Sequence, residues 1–377
     1  MEKHYVFSAP GRTEISGNHT DHQHGCVLAA AVNLETEALV WLDEANTIQI
    51  ESDGYPTVTV DLNDLAVREE EKNTTAALIR GVASKFVQLG AKLSGFRARV
   101  HSTVLPGSGL SSSAAFEVLI GTILNELFFG KKLTPVEIAQ VGQYAENVYF
   151  GKPCGLMDQM ASSVGGLVYI DFENPEQPVI EKINFDLAKA GYALCIIDSG
   201  ADHADLTDEY AEIPYELKEV CDFFGKEVLR QIPEEDFLAA LPNLRNHVSD
   251  RAILRAIHVY QENKRVKVQA AALRNEDLYV FFHLVRQSGH SSWMYLQSIY
   301  PSGSIMKQEV ALALALCDTL LQGKGAYRVH GGGFAGTVQA FVPFDLLPKF
   351  KEGIENVLGE GKCHVLNIRN NGGIRIQ

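Results

Sequence analysis

Long apolar runs, paired cysteines and positive charge are all scarce in this sequence of 377 residues. No stretch approaches the roughly 18 apolar residues of a membrane span, and the N-terminal segment MEKHYVFSAP lacks the apolar core of a secretory signal. These absences predict a cytoplasmic protein with no membrane partner. With 33 Lys and Arg against 47 Asp and Glu, the formal net charge is -14, which argues against sequence-independent binding to nucleic acid.

Three familiar site patterns are also absent. The cysteines form no CxxC pair and no metal-ligand spacing, so neither a zinc site nor a disulfide framework is predicted. No Gly-Lys-Ser/Thr follows a glycine run, which excludes a P-loop NTPase, and no glycine loop has the spacing of a dinucleotide fingerprint, which argues against a dehydrogenase. We interpret the cysteines as reduced thiols that mainly fill the core: Cys26, Cys154, Cys195, Cys221, Cys317 and Cys363.

The hydrophobic content of 46% is enough for one large domain or two packed domains. The first half alternates short strand patterns with helical ones, and alternate apolar residues in 96–100 share one face. The second half is rich in helical patterns from about residue 209 to 322. We therefore predict an α+β protein of two lobes, residues 1–185 and 186–377, with a cleft between them where ligands commonly bind.

A glycine- and serine-rich segment, LPGSGLSSSAAFE, spans residues 105–117 and leads into an apolar helical pattern. Gly107 and Gly109 allow the positive φ and the close backbone approach that a cradle of N–H groups requires. A helix that begins near Ser112 would direct its N-terminal dipole at a bound anion. The segment predicts a phosphate-binding loop, but ordinary turns have the same composition, so other motifs must decide.

A second helix is predicted after this loop. Thr134 is a typical N-cap, Pro135 suits the first helical position, and Glu137 completes a capping box. The same helix is expected to carry Glu146.

Three further motifs accompany the loop: APGRTEISGNHTDHQHG at residues 9–25, CGLMDQ at 154–159 and HGGGFAG at 330–336. In this order the motifs resemble those of galactokinases in the GHMP kinase superfamily, whose N-terminal segment reads APGR, a short variable stretch and GEHTDY. The resemblance implies the two-lobed GHMP kinase fold, with an N-terminal mixed-sheet lobe and a helix-rich C-terminal lobe around a central cleft. It also implies an ATP-dependent kinase that phosphorylates the C1 hydroxyl of galactose and uses Mg²⁺.

By this resemblance, Asp158 is the catalytic aspartate beside the anomeric hydroxyl, as a base or as an electrostatic partner. Arg12 would hold it ionised and offset charge on the reacting oxygens, because a guanidinium is permanently charged and forked. Ser113 and Glu146 would hold Mg²⁺ through hard oxygen ligands. Without the resemblance, these residues fit a surface ion pair, helix caps and a solvated helix charge. The residues assigned to the ATP phosphates are Gly107, Ser108, Gly109, Leu110, Ser111, Ser112 and Ser113.

Sugar contacts are assigned by the resemblance to Asn18, His19, Asp21, Gly155 and Tyr210. Carboxylates and imidazoles suit the recognition of a polyol, because a site built to pair a hydroxyl rejects analogues that lack it. The glycines from residue 331 to 336 are interpreted as a second glycine-rich loop that closes on nucleotide and sugar, with a tight turn as the alternative.

The chain departs from the family pattern at the sugar site, with Asn18 in place of a glutamate and with His22 and Gln23 in place of tyrosine and asparagine. In the family that glutamate accepts from the C6 hydroxyl, whereas an amide can also donate. Loss of the carboxylate removes a repulsion against hexuronates, so galacturonate and N-acetylgalactosamine are alternatives to galactose. A non-catalytic transducer that binds ATP and sugar is a further alternative, although residues 111–115, which such proteins tend to lose, are intact. We expect a monomer.

Overall fold

Two β-sheets and the helices packed against them form the computed structural model, which describes residues 3–104, 109–152, 154–201, 207–334 and 336–377. The strands are β1 (Tyr5–Ser16), β2 (Cys26–Leu42), β3 (Thr47–Ser52), β4 (Val58–Asp61), β5 (Phe96–Ser102), β6 (Leu167–Asp171), β7 (Val179–Ile183), β8 (Tyr192–Asp198), β9 (Ala326–Val329), β10 (Thr337–Pro343), β11 (Cys363–Leu366) and β12 (Ile374–Arg375). The α-helices are α1 (Thr75–Gln88), α2 (Ser112–Phe128), α3 (Pro135–Tyr144), α4 (Met157–Val164), α5 (Thr207–Phe223), α6 (Glu234–Leu244), α7 (Asp250–Arg274), α8 (Leu278–Ser291), α9 (Glu309–Leu321) and α10 (Leu347–Leu358). This content confirms the predicted α+β class.

The larger sheet is built around β2. Its strand order is β12-β1-β2-β5-β3-β4, and β6 and β7 extend it from the N-terminal end of β2. The 17 residues of β2 allow it to pair with β6 first and with β5 afterwards, while β1 runs antiparallel along it. Apolar residues of this sheet pack against α1, α2 and α3, with Phe7, Val40 and Phe96 in contact with the core that holds Val118 and Ile123. The outcome is a mixed sheet, because β3 is parallel to β5.

An irregularity in β1 connects this sheet to the phosphate-binding segment. The pairing of β1 with β2 shifts register between Pro10 and Arg12. Proline has no N–H to donate to a ladder, so a break at this point is expected. The backbone N–H of Arg12 donates instead to the carbonyl of Leu110 at 2.9 Å. The strand that carries the APGR motif therefore lies directly beside the start of α2.

Local signals define α2 and α3 as expected. α2 begins at Ser112, and the capping box of α3 is present, with the carboxylate of Glu137 accepting from the N–H of Thr134 at 2.7 Å. α3 ends at Tyr144 and continues as a π-helical turn over Ala145–Phe150. Such turns are frequent at functional sites, and this one carries Glu146.

The smaller sheet has the order β11-β8-β10-β9. α9 and α10 pack on one face of it, and Phe281 and Phe282 of α8 contact Phe341 from the other. Val266 of α7 packs in the same core as Leu28 of β2, so α7 lies against both parts of the chain. The last strand, β12, returns to pair with β1 of the larger sheet. A lobe boundary near residue 185 stays a prediction.

None of the described helices combines the length and the apolar character needed to span a bilayer. All six cysteines are free thiols, and five of them are buried while Cys154 is partly exposed. This placement agrees with their interpretation as core residues.

Candidate active site

Arg12 and Asp158 form the centre of the site, although 146 residues separate them in sequence. The guanidinium donates from Nε to Oδ1 at 2.7 Å and from Nη2 to Oδ2 at 2.6 Å, a bidentate pair. Its Nη1 donates to the carbonyl of Gly109. The hydroxyl of Ser111 donates to Oδ2 of Asp158 at 2.8 Å. Arg12 is thus held on two sides, and Asp158 accepts three hydrogen bonds.

This pairing decides the charge of Asp158. Burial alone would raise the pKa of the carboxyl, but the charge and the hydrogen bonds of Arg12, with the bond from Ser111, bring it below its ordinary value. Burial would likewise lower the pKa of Arg12, yet Asp158 raises it. The two groups are therefore an ion pair, and the Asp158 side chain keeps 31% of its surface exposed for a reacting group.

The described part of the phosphate loop, defined as residues 105–112, leads into the N-terminus of α2. Gly109 has a φ of 72° and Ser111 a φ of 55°, so the chain turns sharply there. Ser111 occupies the N-cap position but makes no side-chain cap bond, because its hydroxyl is used by Asp158. The first N–H groups of α2 are left without a side-chain cap, as an anion site requires. Gly107 and Ser108, also predicted to contact phosphate, lie outside the described residues.

The second glycine-rich loop, residues 330–336, connects β9 to β10 and packs against the phosphate loop. A Cβ atom on Gly109 would lie 3.1 Å from Nδ1 of His330 and from Oγ1 of Thr337. His330 accepts from the N–H of Glu14 at its Nε2, so its Nδ1 donates to Thr337 at 2.8 Å. Burial and the nearby arginines keep the pKa of this imidazole well below its ordinary value. A neutral histidine therefore joins the loop to β1.

Asn18 ties the segment after β1, called here the sugar loop (residues 17–25), to the second glycine-rich loop. Its amide donates to the carbonyl of Gly331 and accepts from the hydroxyl of Ser292 at 2.8 Å. The residue is completely buried. The amide is engaged by protein groups on both sides, so its predicted contact with a sugar stays a prediction.

A chain of hydrogen bonds, called here the histidine relay, makes a second connection between these loops. Nε2 of His19 lies 3.0 Å from the carbonyl of Gly332 and must donate to it. Nδ1 of His19 then accepts from Nε2 of His22 at 3.1 Å, and Nδ1 of His22 accepts from Gln23 at 3.3 Å. This arrangement requires both rings to be neutral. Burial lowers the pKa of each to about 4, and for His19 the neighbouring His22 adds to the effect.

The remaining predicted sugar residues meet at the same place. A Cβ atom on Gly155 would overlap Oδ2 of Asp21, so only glycine lets this carboxyl approach the segment before α4. Burial raises the pKa of Asp21, and the charge of Asp158 adds to the rise. The hydroxyl of Tyr210 donates to the carbonyl of Gly333 at 2.6 Å. All five residues therefore lie around the sugar loop and the second glycine-rich loop.

Glu146 lies in a buried polar cluster that includes two residues not predicted from the sequence. The Nε2 group of Gln159 donates to Glu146 at 2.7 Å and to Glu117 at 2.9 Å. Glu117 is one helical turn after Ser113 on α2, so Ser113 is on the side of the helix that faces the cluster. Burial and the charge of Glu146 raise the pKa of Glu117 well above its ordinary value. The i, i+4 spacing from Ser113 was the available sequence signal for Glu117, and adjacency to Asp158 was the signal for Gln159.

The described residues contain no group of three or more His, Cys, Asp or Glu side chains placed to hold a metal ion. Two oxygens of the cluster, Oε1 of Glu117 and Oε1 of Gln159, are buried without a hydrogen-bond partner. A buried oxygen in this state is costly and commonly marks a site for a water or an ion.

A cavity of about 370 Å³ opens beside the N-terminus of α2. Ser112 and Ser113 form one wall, and Thr75 and Leu78 of α1 contribute another. Its rim holds Tyr55 and the paired side chains of Asp53 and His101, with Nδ1 of His101 2.8 Å from Oδ2 of Asp53. Sequence patterns gave no indication of this cavity, because its walls come from α1, α2 and the strands β3 and β5.

Comparison with known proteins identifies the family of the chain. The family model for the GHMP kinases N terminal domain matches residues 77–166, and the model for the galactokinase galactose-binding signature matches residues 1–40. A curated galactokinase from Streptomyces coelicolor is 31% identical over 340 residues, which cover 89% of this chain and 84% of that protein. The chain belongs to the galactokinase family. The resemblance seen in the motifs is therefore confirmed, and family membership makes the chain a phosphotransferase that uses ATP.

Solved structures confirm the fold. The galactokinase of Lactococcus lactis, determined as a complex with galactose, aligns with a TM-score of 0.83 at 24% identity, covering 99% of this chain and 95% of that chain. A mevalonate kinase aligns with a TM-score of 0.68 at 13% identity, over 97% of this chain and 99% of the other. The galactokinase-family chain thus has the GHMP kinase fold that its motifs implied.

Proposed function

We propose that this member of the galactokinase family transfers the γ-phosphoryl group of ATP to the C1 hydroxyl of galactose, forming galactose 1-phosphate and ADP. The observation that carries the proposal is the ionised Asp158, held by Arg12 where the sugar loop, the phosphate loop and the second glycine-rich loop meet. Phosphoryl transfer to a hydroxyl needs an anion cradle, positioned charge and a group beside the hydroxyl proton. The uncapped start of α2, Arg12 and Asp158 are candidates for these three roles, and their proximity supports the proposal.

Asp158 acts late in the proposed reaction. Its pKa is below the ordinary carboxyl value, whereas a sugar hydroxyl is a far weaker acid. Complete removal of the proton before attack is therefore unfavourable. The C1 oxygen bonds to the γ-phosphorus as the bond to the bridging oxygen of ADP breaks, and the hydroxyl proton passes to Asp158 during that exchange. Arg12 keeps the carboxylate oriented and offsets negative charge on the reacting oxygens.

Mg²⁺ fits the residues predicted to hold it. Glu146 is a buried carboxylate, Ser113 supplies a hydroxyl from the same side of α2 as Glu117, and unpartnered oxygens of Glu117 and Gln159 complete an oxygen-rich surrounding. Oxygen ligands with few protein groups are typical of Mg²⁺ beside phosphates. A bound Mg²⁺ would neutralise charge on the triphosphate.

Two features next to Ser112 support the proposed position of the nucleotide. The uncapped N–H groups at the start of α2 suit the phosphates, and the adjoining cavity of about 370 Å³ is of a size that takes a nucleoside. The cavity walls are largely apolar, with the ring of Tyr55 at the rim to cover a base.

Galactose is the proposed acceptor, and residue 18 is the reason to test others. Asn18 carries no charge that would repel a C6 carboxylate, and its buried amide is already bonded to Gly331 and Ser292. Galacturonate and N-acetylgalactosamine are therefore the alternatives that a substrate assay must include. A cytoplasmic location and a monomeric state stay predictions.

The proposal is tested by ADP release from ATP and Mg²⁺ with galactose, galacturonate, N-acetylgalactosamine and mevalonate offered separately, and by ³¹P NMR of the products. The expected result is turnover with galactose and a resonance of an anomeric phosphate. Turnover confined to galacturonate or to N-acetylgalactosamine would replace the proposed acceptor. Binding of ATP and sugar by calorimetry, without ADP release for any acceptor, would favour the non-catalytic transducer.

A further inference from the structure

Lys152 lies at the entrance to the buried cluster around Glu146. The chain reverses at Gly151, where φ is 85°, and the N–H groups of Gly151 and Lys152 donate to the carbonyl of Glu146 at 3.0 and 3.2 Å. The ammonium of Lys152 then lies 3.6 Å from Oε1 of Glu146. The lysine side chain is 63% exposed, while that of Glu146 is 4% exposed. The exposed side chain of Lys152 therefore extends from solvent to the proposed metal ligand.

The charge of Lys152 also acts on two carboxyl groups besides Glu146. Burial raises the pKa of Asp158, and Lys152 helps Arg12, whose effect is larger, to lower it. It also opposes the rise in the pKa of Glu117 that burial and Glu146 produce. These effects agree with the distance of 3.6 Å between the ammonium and Oε1 of Glu146.

The side chain of Arg12 is held in place and cannot move with the transferring phosphoryl group. Its Nε and Nη2 donate to Asp158, and its Nη1 donates to the carbonyl of Gly109. Lys152 is held differently. Its ammonium lies 3.6 Å from Oε1 of Glu146, which is longer than a hydrogen bond, and the lysine side chain is largely exposed although Glu146 is buried. This side chain can therefore turn to another partner more readily than that of Arg12.

We propose that Lys152 is a phosphate-contacting catalytic residue, which pairs with Glu146 in the nucleotide-free protein and contacts the β- or γ-phosphoryl oxygens when ATP and Mg²⁺ are bound. Lys152 and Mg²⁺ would compete for the carboxylate of Glu146, so a bound metal would free the lysine. A flexible ammonium is a suitable point charge for a phosphate. This inference rests on the proposed function, because it takes Glu146 as the metal ligand.

Lys72 provides a matched control. Its side chain lies beside the same turn, since a Cβ atom on Gly151 would be 3.3 Å from its Cδ atom. Its ammonium, however, pairs with Oε2 of Glu69 at 2.6 Å, away from Glu146. Lys72→Met therefore removes the same charge from the same neighbourhood without touching the proposed phosphate contact.

The test compares Lys152→Met, Lys152→Arg and Lys72→Met with the wild-type chain. Mn²⁺, used as a probe for the metal in the nucleotide-free protein, should bind Lys152→Met more tightly, because a competitor for Glu146 is gone. The same variant should bind ATP with Mg²⁺ more weakly and turn over more slowly, each by about 10- to 100-fold, the loss expected for a hydrogen bond to a charged group. The KM for the sugar should change little. Lys152→Arg should recover most of the activity.

The decisive readout is that the affinity for Mn²⁺ rises while the affinity for ATP falls. A merely structural role would weaken the binding of both. The proposal is overturned if Lys152→Met matches Lys72→Met in Mn²⁺ affinity, ATP affinity and turnover. If the wild-type chain releases no ADP with any hexose, the proposed function fails instead. The Mn²⁺ titration still decides whether Lys152 competes for the Glu146 site.

Discussion

Asp158→Asn isolates the charge of the proposed catalytic carboxylate. The amide has nearly the same size, so α4 and its neighbours need not move. The substitution removes the negative charge that faces Arg12, and it places an N–H₂ group against a guanidinium that now donates to both carboxylate oxygens at 2.7 and 2.6 Å. The asparagine keeps one oxygen that can accept from Ser111 at the start of α2, and the residues that line the nucleotide cavity are unchanged. We therefore expect ATP to bind normally while turnover falls.

The stability loss should be modest. Removing one partner of a fully buried ion pair costs about 3–5 kcal/mol. The Asp158 side chain is partly exposed, however, and Arg12 keeps the carbonyl of Gly109 and the charges of Glu14 and Asp21. A loss of roughly 1–3 kcal/mol is therefore expected, small enough for the protein to stay folded. Turnover should fall by about 10²- to 10⁴-fold, which is the contribution of a positioned proton acceptor.

The assay is ADP release at saturating ATP and galactose, with ATP affinity by calorimetry and the unfolding midpoint in urea measured on the same samples. Ser111→Ala is a milder comparison, because it removes the third hydrogen bond to Asp158 but keeps the carboxylate, and it should cost less than about tenfold in turnover. Turnover of Asp158→Asn within threefold of wild type would refute the reasoning. Loss of ATP binding in the folded variant would refute it as well, since the substitution leaves the groups proposed to bind the phosphates in place.

Three further predictions concern the sugar side of the site. Gly155→Ala would push a methyl group into Asp21, so the KM for galactose should rise by about tenfold or more with ATP affinity unchanged; an unaltered KM would contradict the assigned contact. Asn18→Asp replaces the donor to the carbonyl of Gly331 by a second acceptor and should lower the free energy of unfolding by about 1–3 kcal/mol in urea, whereas an equal midpoint would show that the bond is unimportant. His22→Gln tests the histidine relay through pH. Its ring has a pKa of about 4 when folded and an ordinary value of 6.5, so the unfolded state binds more protons between these values. The stability of wild type relative to the variant should be constant above pH 6.5 and decline toward pH 4; a flat difference would mean that the ring is not held neutral. Buried carboxyl groups with raised pKa values change the stability with pH in the opposite direction. Their contribution is common to both proteins and cancels in the difference between wild type and variant.

Much of the secondary structure could be predicted where the signal is local. The capping box at Thr134, the start of α2 at Ser112 and the strand from Phe96 depend on neighbours within a few residues, and the structure confirms them. Arg12 was different. Taken alone it fitted a loop and a surface ion pair, but it lies in a strand and is nearly buried. Proline and glycine in APGR hid that strand, which tolerates them because its pairing shifts register there.

The motifs identified the reacting groups but not their surroundings. Glu117 and Gln159 were missed, because a charged residue on a helix and an amide after an aspartate are ordinary surface residues until the fold buries them. The histidine relay was missed for a similar reason. Two histidines in one loop have no defined tautomer until the carbonyl of Gly332 supplies an acceptor.

The sequence by itself determined the family, the order of the motifs and the types of side chain that phosphoryl transfer needs, since these depend on residue identity and short spacing. Only the tertiary structure decided which groups pair. Asn18 meets Gly331 across 313 residues, and Arg12 meets Asp158 across 146. Such contacts depend on how two sheets and their loops pack, and the charge of each group follows from that packing. Burial and an opposite charge at hydrogen-bond distance, which no local pattern encodes, leave Asp158 ionised and the histidines neutral.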